Sequence, residues 1–311
     1  MQGPKTEYRD QKEVVARYLS WALGADAEVL TISALPGCIH QNLRVHARLG
    51  MESRSFVLRR MPLQKTLGFA RGVVPYNLEA EFTALKDLEG VDLLTPKVWG
   101  LDREGRFLDM PAFLMEYIEG PTVLDAVESN PEVIAYRFAE TILAMNRVSA
   151  DQLPDLVGLI GESDEDPADL LGWLTAQAGK MDAPSFFLSG LDLLTRELPS
   201  DRPKRVFGNG DLGPQNFIYT ADGSIAVVDW EYAGFNDPIA EIMLLHVWPE
   251  DDPFLRKHPI DKLYCRLAGI DVGILRWYEI YGALSGWLFA AGDCNRKAMM
   301  IYEQKARNLF S

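Results

Sequence analysis

The sequence predicts an α+β protein with a mostly β first third and a mostly helical remainder. Three observations carry this. Between Val29 and about Met61 short apolar runs alternate with turn residues; after Gly120 apolar residues recur at helical spacing; and strand-like runs return only around residues 206–229. With 311 residues, 48% of them apolar, the chain can bury a sizeable core in two lobes or one large domain.

The elements follow in order. Residues 11–23 read as an amphipathic helix. "VLTIS", "LRVHARLG" and "SFVLRRM" read as antiparallel strands separated by glycine or polar turns. In "PYNLEAEFTALKDLEG", Leu78, Phe82, Leu85 and Leu88 share one helical face and Gly90 closes the segment. "PKVWGLD" and "PAFLMEYIEG" are two more strands, joined by a turn at Arg103–Gly105. The character changes at residues 117–121. "PEVIAYRFAETILAMNRVS" then carries Ile134, Phe138, Ile142 and Met145 at helical spacing, and "DPADLLGWLTAQAGKM" and "FFLSGLDLLTREL" also read as helices. "RVFG", "NFIY" and "IAVVDW" read as short strands, and from Asp237 onward helix returns.

Composition narrows the function classes. A formal net charge of −14 argues against a nucleic-acid binder, which needs a basic face. Three cysteines without metal-ligand spacing read as free thiols in a reducing compartment, and the four histidines are scattered. The charged N-terminus has no apolar signal region and no run reaches the length of a membrane span, so the expected location is the cytoplasm.

The chemistry gathers in "VFGNGDLGPQNFIYTADGSIAVVDWEYAGFNDP", residues 206–238. Gly210, Gly213 and Pro214 make the loop after "RVFG" tightly turned. Asp211 and Asn216 lie five residues apart across it, and a hairpin turned at Asp222–Gly223 brings Asp229 back beside them. A carboxylate and an amide oxygen with a second carboxylate nearby form a hard oxygen-ligand set, suited to Mg²⁺ shared with substrate phosphates. The remaining aspartate can accept a hydroxyl proton. Any one of these residues alone would read as a turn former; the combination does not.

On "NGDLGPQN", "VDWE" and "FNDP" the chain resembles the aminoglycoside phosphotransferase and choline kinase-like superfamily. Its motifs read H-G-D-x-x-x-x-N, [IV]-D-[WF]-E and G-D-P. The resemblance spans about residues 28–245. It implies a bilobal protein-kinase-like fold, with an antiparallel N-lobe (1–118), a mainly helical C-lobe (119–311) and a nucleotide cleft between them. It further implies Asp211 as the base for an acceptor hydroxyl and Asn216 and Asp229 as Mg²⁺ ligands, with Glu231 a helper. Asp237 and Glu241 would brace the loop. Asn209 stands where histidine is usual, a position the resemblance makes scaffolding.

In the first third, Arg59 in "VLR" resembles the phosphate-binding basic residue, held by Glu81 on the following helix; its guanidinium can fork onto phosphate oxygens. "FLMEYIEG" resembles the hinge, with Met115 behind the adenine and the Glu116 carbonyl and Ile118 amide on its edge. Gly37 and Cys38 replace the glycine pair of the phosphate loop, and His40 a serine. Backbone amides there can still cradle phosphate.

The expected activity is ATP- and Mg²⁺-dependent phosphoryl transfer to a small-molecule hydroxyl. Three acceptor classes compete. "DWEYAGFNDP" and the aromatic set Trp277, Tyr281 and Trp287 favour a cationic amino alcohol, although a helical aromatic stripe equally reads as core. The acidic "WPEDDP" (248–253) suits an aminoglycoside. "FVLRRMP" resembles superfamily members fused to acyl-CoA dehydrogenases, which favours a neutral or acidic hydroxy compound. The rival class is a catalytically inactive kinase-like nucleotide-binding or regulatory protein, suggested by Asn209, Arg59 and the glycine-poor loop and opposed by the presence of Asp211, Asn216 and Asp229 together. A homo-oligomer is compatible with the resemblance.

Overall fold

The computed structural model describes residues 11–35, 41–61, 78–160, 168–180, 182–200, 203–245, 252–292 and 294–310. Helix α1 (Lys12–Leu23) ends at Gly24, whose φ of 64° closes it in a left-handed turn. Strands β1 (Ala27–Ala34), β2 (Gln41–Leu49) and β3 (Glu52–Arg60) follow, then helix α2 (Leu78–Leu88) and strands β4 (Val98–Asp102) and β5 (Ala112–Glu116). The five strands form one antiparallel sheet in the order β1-β2-β3-β5-β4. The connection from β4 to β5 is longer than the three-residue turn the sequence suggested, running from residue 103 to 111.

The period-two alternation of the strands divides the sheet into two faces. Leu43, Val45 and Ala47 of β2, Phe56 and Leu58 of β3, and Ala112 and Leu114 of β5 pack with Val15, Tyr18 and Leu19 of α1 into one core. The Tyr18 hydroxyl donates to the Gly100 carbonyl at 2.6 Å, pinning α1 to β4. The alternate residues, among them Val57 and Arg59 of β3 and Phe113 and Met115 of β5, face the other way. Phe113 and Met115 join the larger core with Leu85 and Leu88 of α2. A polar residue on that second face therefore looks toward the rest of the chain.

After β5 come helices α3 (Val123–Ala126), α4 (Pro131–Asn146), α5 (Pro154–Ile160), α6 (Ala168–Ala178) and α7 (Ser185–Arg196). Short strands β6 (Val206–Gly208), β7 (Phe217–Tyr219), β8 (Ile225–Val227) and β9 (Gly234–Asn236) interrupt them. Helices α8 (Pro238–Leu244), α9 (Asp252–Lys257), α10 (Ile260–Ala268), α11 (Leu275–Gly292) and α12 (Arg296–Leu309) complete the described chain. Strand β7 pairs with β8 across the turn expected at Asp222–Gly223. Strand β6 pairs with β9, which the sequence reading did not anticipate because three residues carry too little pattern. Phe138 of α4 is fully buried with its ring against Phe217 (4.6 Å between centroids) and Phe254 (5.9 Å).

The aromatic segment of α11 is core. Trp277, Tyr281 and Trp287 are all buried. The Trp277 indole donates to the Leu194 carbonyl at 2.9 Å and its ring stacks on Tyr281, while Trp287 packs against Phe186 and Phe187 of α7. A cation–π box from these three is therefore corrected to helix packing: their faces are spent on one another and on α7. The acidic stretch 248–253 falls at 248–251 outside the described residues, and nothing is described of the side chains of Asp252 and Pro253.

Phe138→Ala should destabilise the protein by about 3–5 kcal/mol, measured by urea unfolding; a loss below about 1 kcal/mol would contradict a filled core there. Burial, then Asp261 and Asp271, raise the thiol of buried Cys265 to about 11, from an ordinary value near 9. Burial likewise raises the Tyr18 and Tyr264 hydroxyls. A raised folded-state pKa means the folded protein holds more protons, so stability falls as pH climbs through that range. Unfolding free energy should therefore decline from pH 9 to 11, and alkylation mapped by mass spectrometry should modify exposed Cys294 but not Cys265 in the native protein.

Candidate active site

Among the described residues, the second face of the sheet carries one buried cation. Arg59, near the end of β3, is 3% exposed. Its Nε donates to Glu81 Oε2 at 2.7 Å, from α2. Its Nη2 donates to Asp229 Oδ1 at 2.7 Å and to Glu231 Oε2 at 3.2 Å, both just past β8. Nη1 reaches Asn42 Oδ1 of β2 at 3.5 Å. A guanidinium cannot shed its charge on burial, so it must be paired, and its rigid fork serves several carboxylates at once. Among the described residues three carboxylates meet this one guanidinium. The Glu81 and Glu231 side chains are 1% and 7% exposed, whereas the Asp229 side chain is 32% exposed, so of the three carboxylates Asp229 is the one that solvent reaches.

Local structure aims Asp229. Its φ is 61°, a left-handed conformation that a short polar residue tolerates better than a branched one. The next residue, Trp230, is fully buried, stacks on Phe207 (5.6 Å, 12° between planes) and donates its indole N–H to Val227 at 3.0 Å. The tryptophan anchors the turn while the aspartate points out of it.

The loop from β6 to β7 is tied to itself. Asn209, fully buried, donates from Nδ2 to the Asp211 carbonyl at 2.9 Å and accepts the Asp211 N–H on Oδ1 at 3.3 Å. One side chain thus satisfies both main-chain groups of Asp211, work that needs one donor and one acceptor, as an amide or a neutral imidazole has. Gly210 has φ 74°, and a Cβ there would overlap the Tyr232 carbonyl, so the residue before Asp211 must be glycine. The Gly213 N–H donates to Asp211 Oδ1 at 3.3 Å. Asn216 Nδ2 donates to the Asp211 carbonyl at 3.2 Å, and its own carbonyl accepts the Val228 N–H at 2.9 Å. Asp211, Asn216 and Asp229 are thereby linked through adjacent main chain.

A polar network supports this loop from below. Asp237 caps α8 by accepting the N–H groups of Ile239 (2.9 Å) and Ala240 (3.1 Å), and its other oxygen accepts the Tyr278 hydroxyl of α11. Glu241 accepts from Asn236 at 2.8 Å and lies against Gly208, where any Cβ would overlap its carboxylate. Asn146 of α4 donates to the Phe207 carbonyl at 2.8 Å and accepts the Tyr264 hydroxyl at 2.7 Å.

Of the residues singled out from sequence, Arg59, Glu81, Asp229 and Glu231 meet in one ion-paired group, and Asn209, Asp211 and Asn216 form the adjoining loop. Met115 and Glu116 end β5, with Ile118 two residues on. Gly37, with Cys38 and His40, lies outside the described residues. Sequence reading missed Asn42, Asn146, Tyr264 and Tyr278. Only Asn146 carried a signal, as a polar residue continuing the buried stripe Phe138–Ile142 at four-residue spacing.

The residues fit a divalent cation shared with a ligand better than a preassembled cage. Among the described residues no three His, Cys, Asp or Glu side chains are grouped to hold a metal. Asn216 Oδ1 makes no hydrogen bond among the described residues while its Nδ2 is engaged, so the amide oxygen is available to a ligand. Mg²⁺ commonly takes one or two protein oxygens and completes its shell with phosphate and water.

Known proteins with the same pattern give the fold its relatives. The chain is 27% identical over 267 residues to mouse (Mus musculus) acyl-CoA dehydrogenase family member 10, a match covering 78% of this chain but 24% of that protein. It thus spans about a quarter of the length of that curated relative. A thermostable mutant of aminoglycoside phosphotransferase APH(4)-Ia, solved as a ternary complex with AMP-PNP and hygromycin B, superposes with a TM-score of 0.62 at 18% identity, over 95% of this chain and 97% of the other. Choline kinase LicA from Streptococcus pneumoniae gives a TM-score of 0.58 at 16% identity, over 96% and 98% of the two chains. Both likenesses are of fold: a kinase-like antiparallel sheet followed by a helical part. Residues 37–287, most of the chain, match the APH family, so this protein belongs to the phosphotransferase enzyme family.

Proposed function

We propose that the protein is an ATP- and Mg²⁺-dependent kinase that transfers the γ-phosphoryl group to a hydroxyl of a small acceptor. The observation that carries this reading is the buried Arg59, fixed by Glu81 and reaching across the chain to Asp229 and Glu231. A fixed guanidinium beside a part-exposed carboxylate offers one group for phosphate oxygens and one for a metal ion, which suits a metal–polyphosphate. In this reading the nucleotide lies between residues 1–118 and 119–311, with its base against Met115, Glu116 and Ile118.

Mg²⁺ held by Asn216 Oδ1 and Asp229 would neutralise charge developing on the phosphate oxygens. Arg59 supplies a permanent positive charge for the same oxygens, and Glu81 keeps its Nε turned away from them. Glu231 shares Nη2 with Asp229 and so steadies the guanidinium. Asp211, one oxygen held by the Gly213 N–H, accepts the proton of the acceptor's hydroxyl as the acceptor oxygen bonds to the γ-phosphorus and the bond from that phosphorus to ADP breaks. Asn209 positions Asp211 by its main chain. That it keeps both bonds supports activity over an inactive binding protein.

For the acceptor we favour an uncharged or acidic hydroxy compound, such as a hydroxy acid. The burial of Trp277, Tyr281 and Trp287 withdraws the aromatic support for a quaternary amine. The similarity to acyl-CoA dehydrogenase family member 10 points the same way as "FVLRRMP".

Three outcomes test this. Wild type should bind ATP and consume it slowly with Mg²⁺, and Asp211→Asn should bind ATP but lose turnover on the order of 10²–10⁴-fold; a wild type without nucleotide binding or turnover contradicts the reading. Asn209→Ala should lower both stability, by about 1–3 kcal/mol, and kcat, whereas Asn209→His should retain more of each; equal loss in the two would remove the positioning role. In an ATP-consumption screen, hydroxy acids should outperform choline, ethanolamine and aminoglycosides, and turnover confined to cationic acceptors would refute the assignment.

A further inference from the structure

We infer that Arg44 is a positioning residue that latches the base end of the nucleotide site, an inference that rests on the kinase reading. Arg44 of β2 pairs in register with Val57 of β3, which pairs with Met115 of β5. These three form a row across the sheet, on the same face as Arg59 and two residues along from the row Asn42–Arg59–Phe113. If Arg59 marks the phosphates, the Arg44 row lies toward the base.

The Arg44 head group leaves the sheet and grips the segment after β5. Its Cζ sits 3.9 Å from the centroid of the Tyr117 ring. Its Nη2 donates to Glu119 Oε1 at 3.0 Å. Ser55 Oγ accepts from Nε at 3.4 Å and Nη2 at 3.3 Å, and His46 Nδ1 stands 3.2 Å from the same hydroxyl. The guanidinium is thus held on one side by β3 and on the other by residues 117 and 119, the flanks of Ile118. Beyond β5 itself, this contact ties the sheet to the segment that would hydrogen-bond the base. An arginine does this where a lysine would not, because a planar fork can stack on a ring and bond a carboxylate together. Glu119 is well exposed, so the pair alone is weak. Its effect is to limit how far residues 117–119 can swing from the sheet.

The test separates a latch from a charge that merely attracts phosphate. Dissociation constants for ATP and for uncharged adenosine are measured by displacement of a fluorescent nucleotide, for wild type, Arg44→Ala, Glu119→Gln and the double variant. A latch predicts that Arg44→Ala weakens ATP and adenosine alike, roughly threefold to tenfold. Glu119→Gln should weaken both in the same direction, and the double variant should lose no more than Arg44→Ala. In turnover, KM for ATP should rise by more than kcat falls. Unchanged adenosine affinity in Arg44→Ala overturns the latch and leaves the kinase reading intact. Should Arg44→Ala not fold, unchanged adenosine affinity in a Tyr117→Leu/Glu119→Ala double variant, which removes both grips, overturns it. A wild type that binds no nucleotide overturns both.

Discussion

The folded chain depends on finding partners for one charge that cannot be neutralised. Arg59 sits on the inner face of the sheet, almost out of water, where an unpaired guanidinium would cost several kcal/mol. Glu81 comes from the next helix, and Asp229 and Glu231 from 170 and 172 residues further on. Satisfying the cation therefore requires the sheet, α2 and the β8 turn to arrive in one place. The same requirement brings the part-exposed Asp229 to the buried group, and in the proposed kinase that carboxylate is the one left to meet a metal ion.

Everything around this group limits motion. Asn209 and Asn216 fasten the Asp211 main chain, Trp230 buries the turn that exposes Asp229, and Asp237 and Glu241 fill the space beneath. Glycines at 208 and 210 stand where a Cβ would meet a carboxylate or a carbonyl. Phosphoryl transfer needs little covalent help from a protein but demands positioned charge, and in the proposed kinase a loop tied down at each of these points would supply it. Even the departure from the usual histidine at Asn209 keeps the donor–acceptor pair that the position needs.

Much of this was legible in the sequence for physical reasons. Strand alternation in β2 and β3 and the three- and four-residue spacing in α2 and α4 are local signals that the fold did not override. Asp211, Asn216 and Asp229 stood out because polar residues at the ends of apolar runs need an explanation. What was not legible is long-range. Nothing near Tyr278 says that its hydroxyl will meet Asp237, 41 residues away, and nothing near Arg44 says that it will cross to Glu119, 75 residues away. The aromatic stripe of α11 was ambiguous because the spacing that would line a binding box is also the spacing of a packed helix face; only the position of α7 decides it.

The proposed kinase site is tested most directly by where a nucleotide and a divalent cation sit. A crystal structure grown with a non-hydrolysable ATP analogue and Mn²⁺ would show it, the metal identified by anomalous scattering. The proposed site places the phosphates beside Arg59, with the metal about 2.0–2.3 Å from oxygens of Asn216 and Asp229. Nucleotide bound elsewhere, or a metal without either ligand, would contradict it.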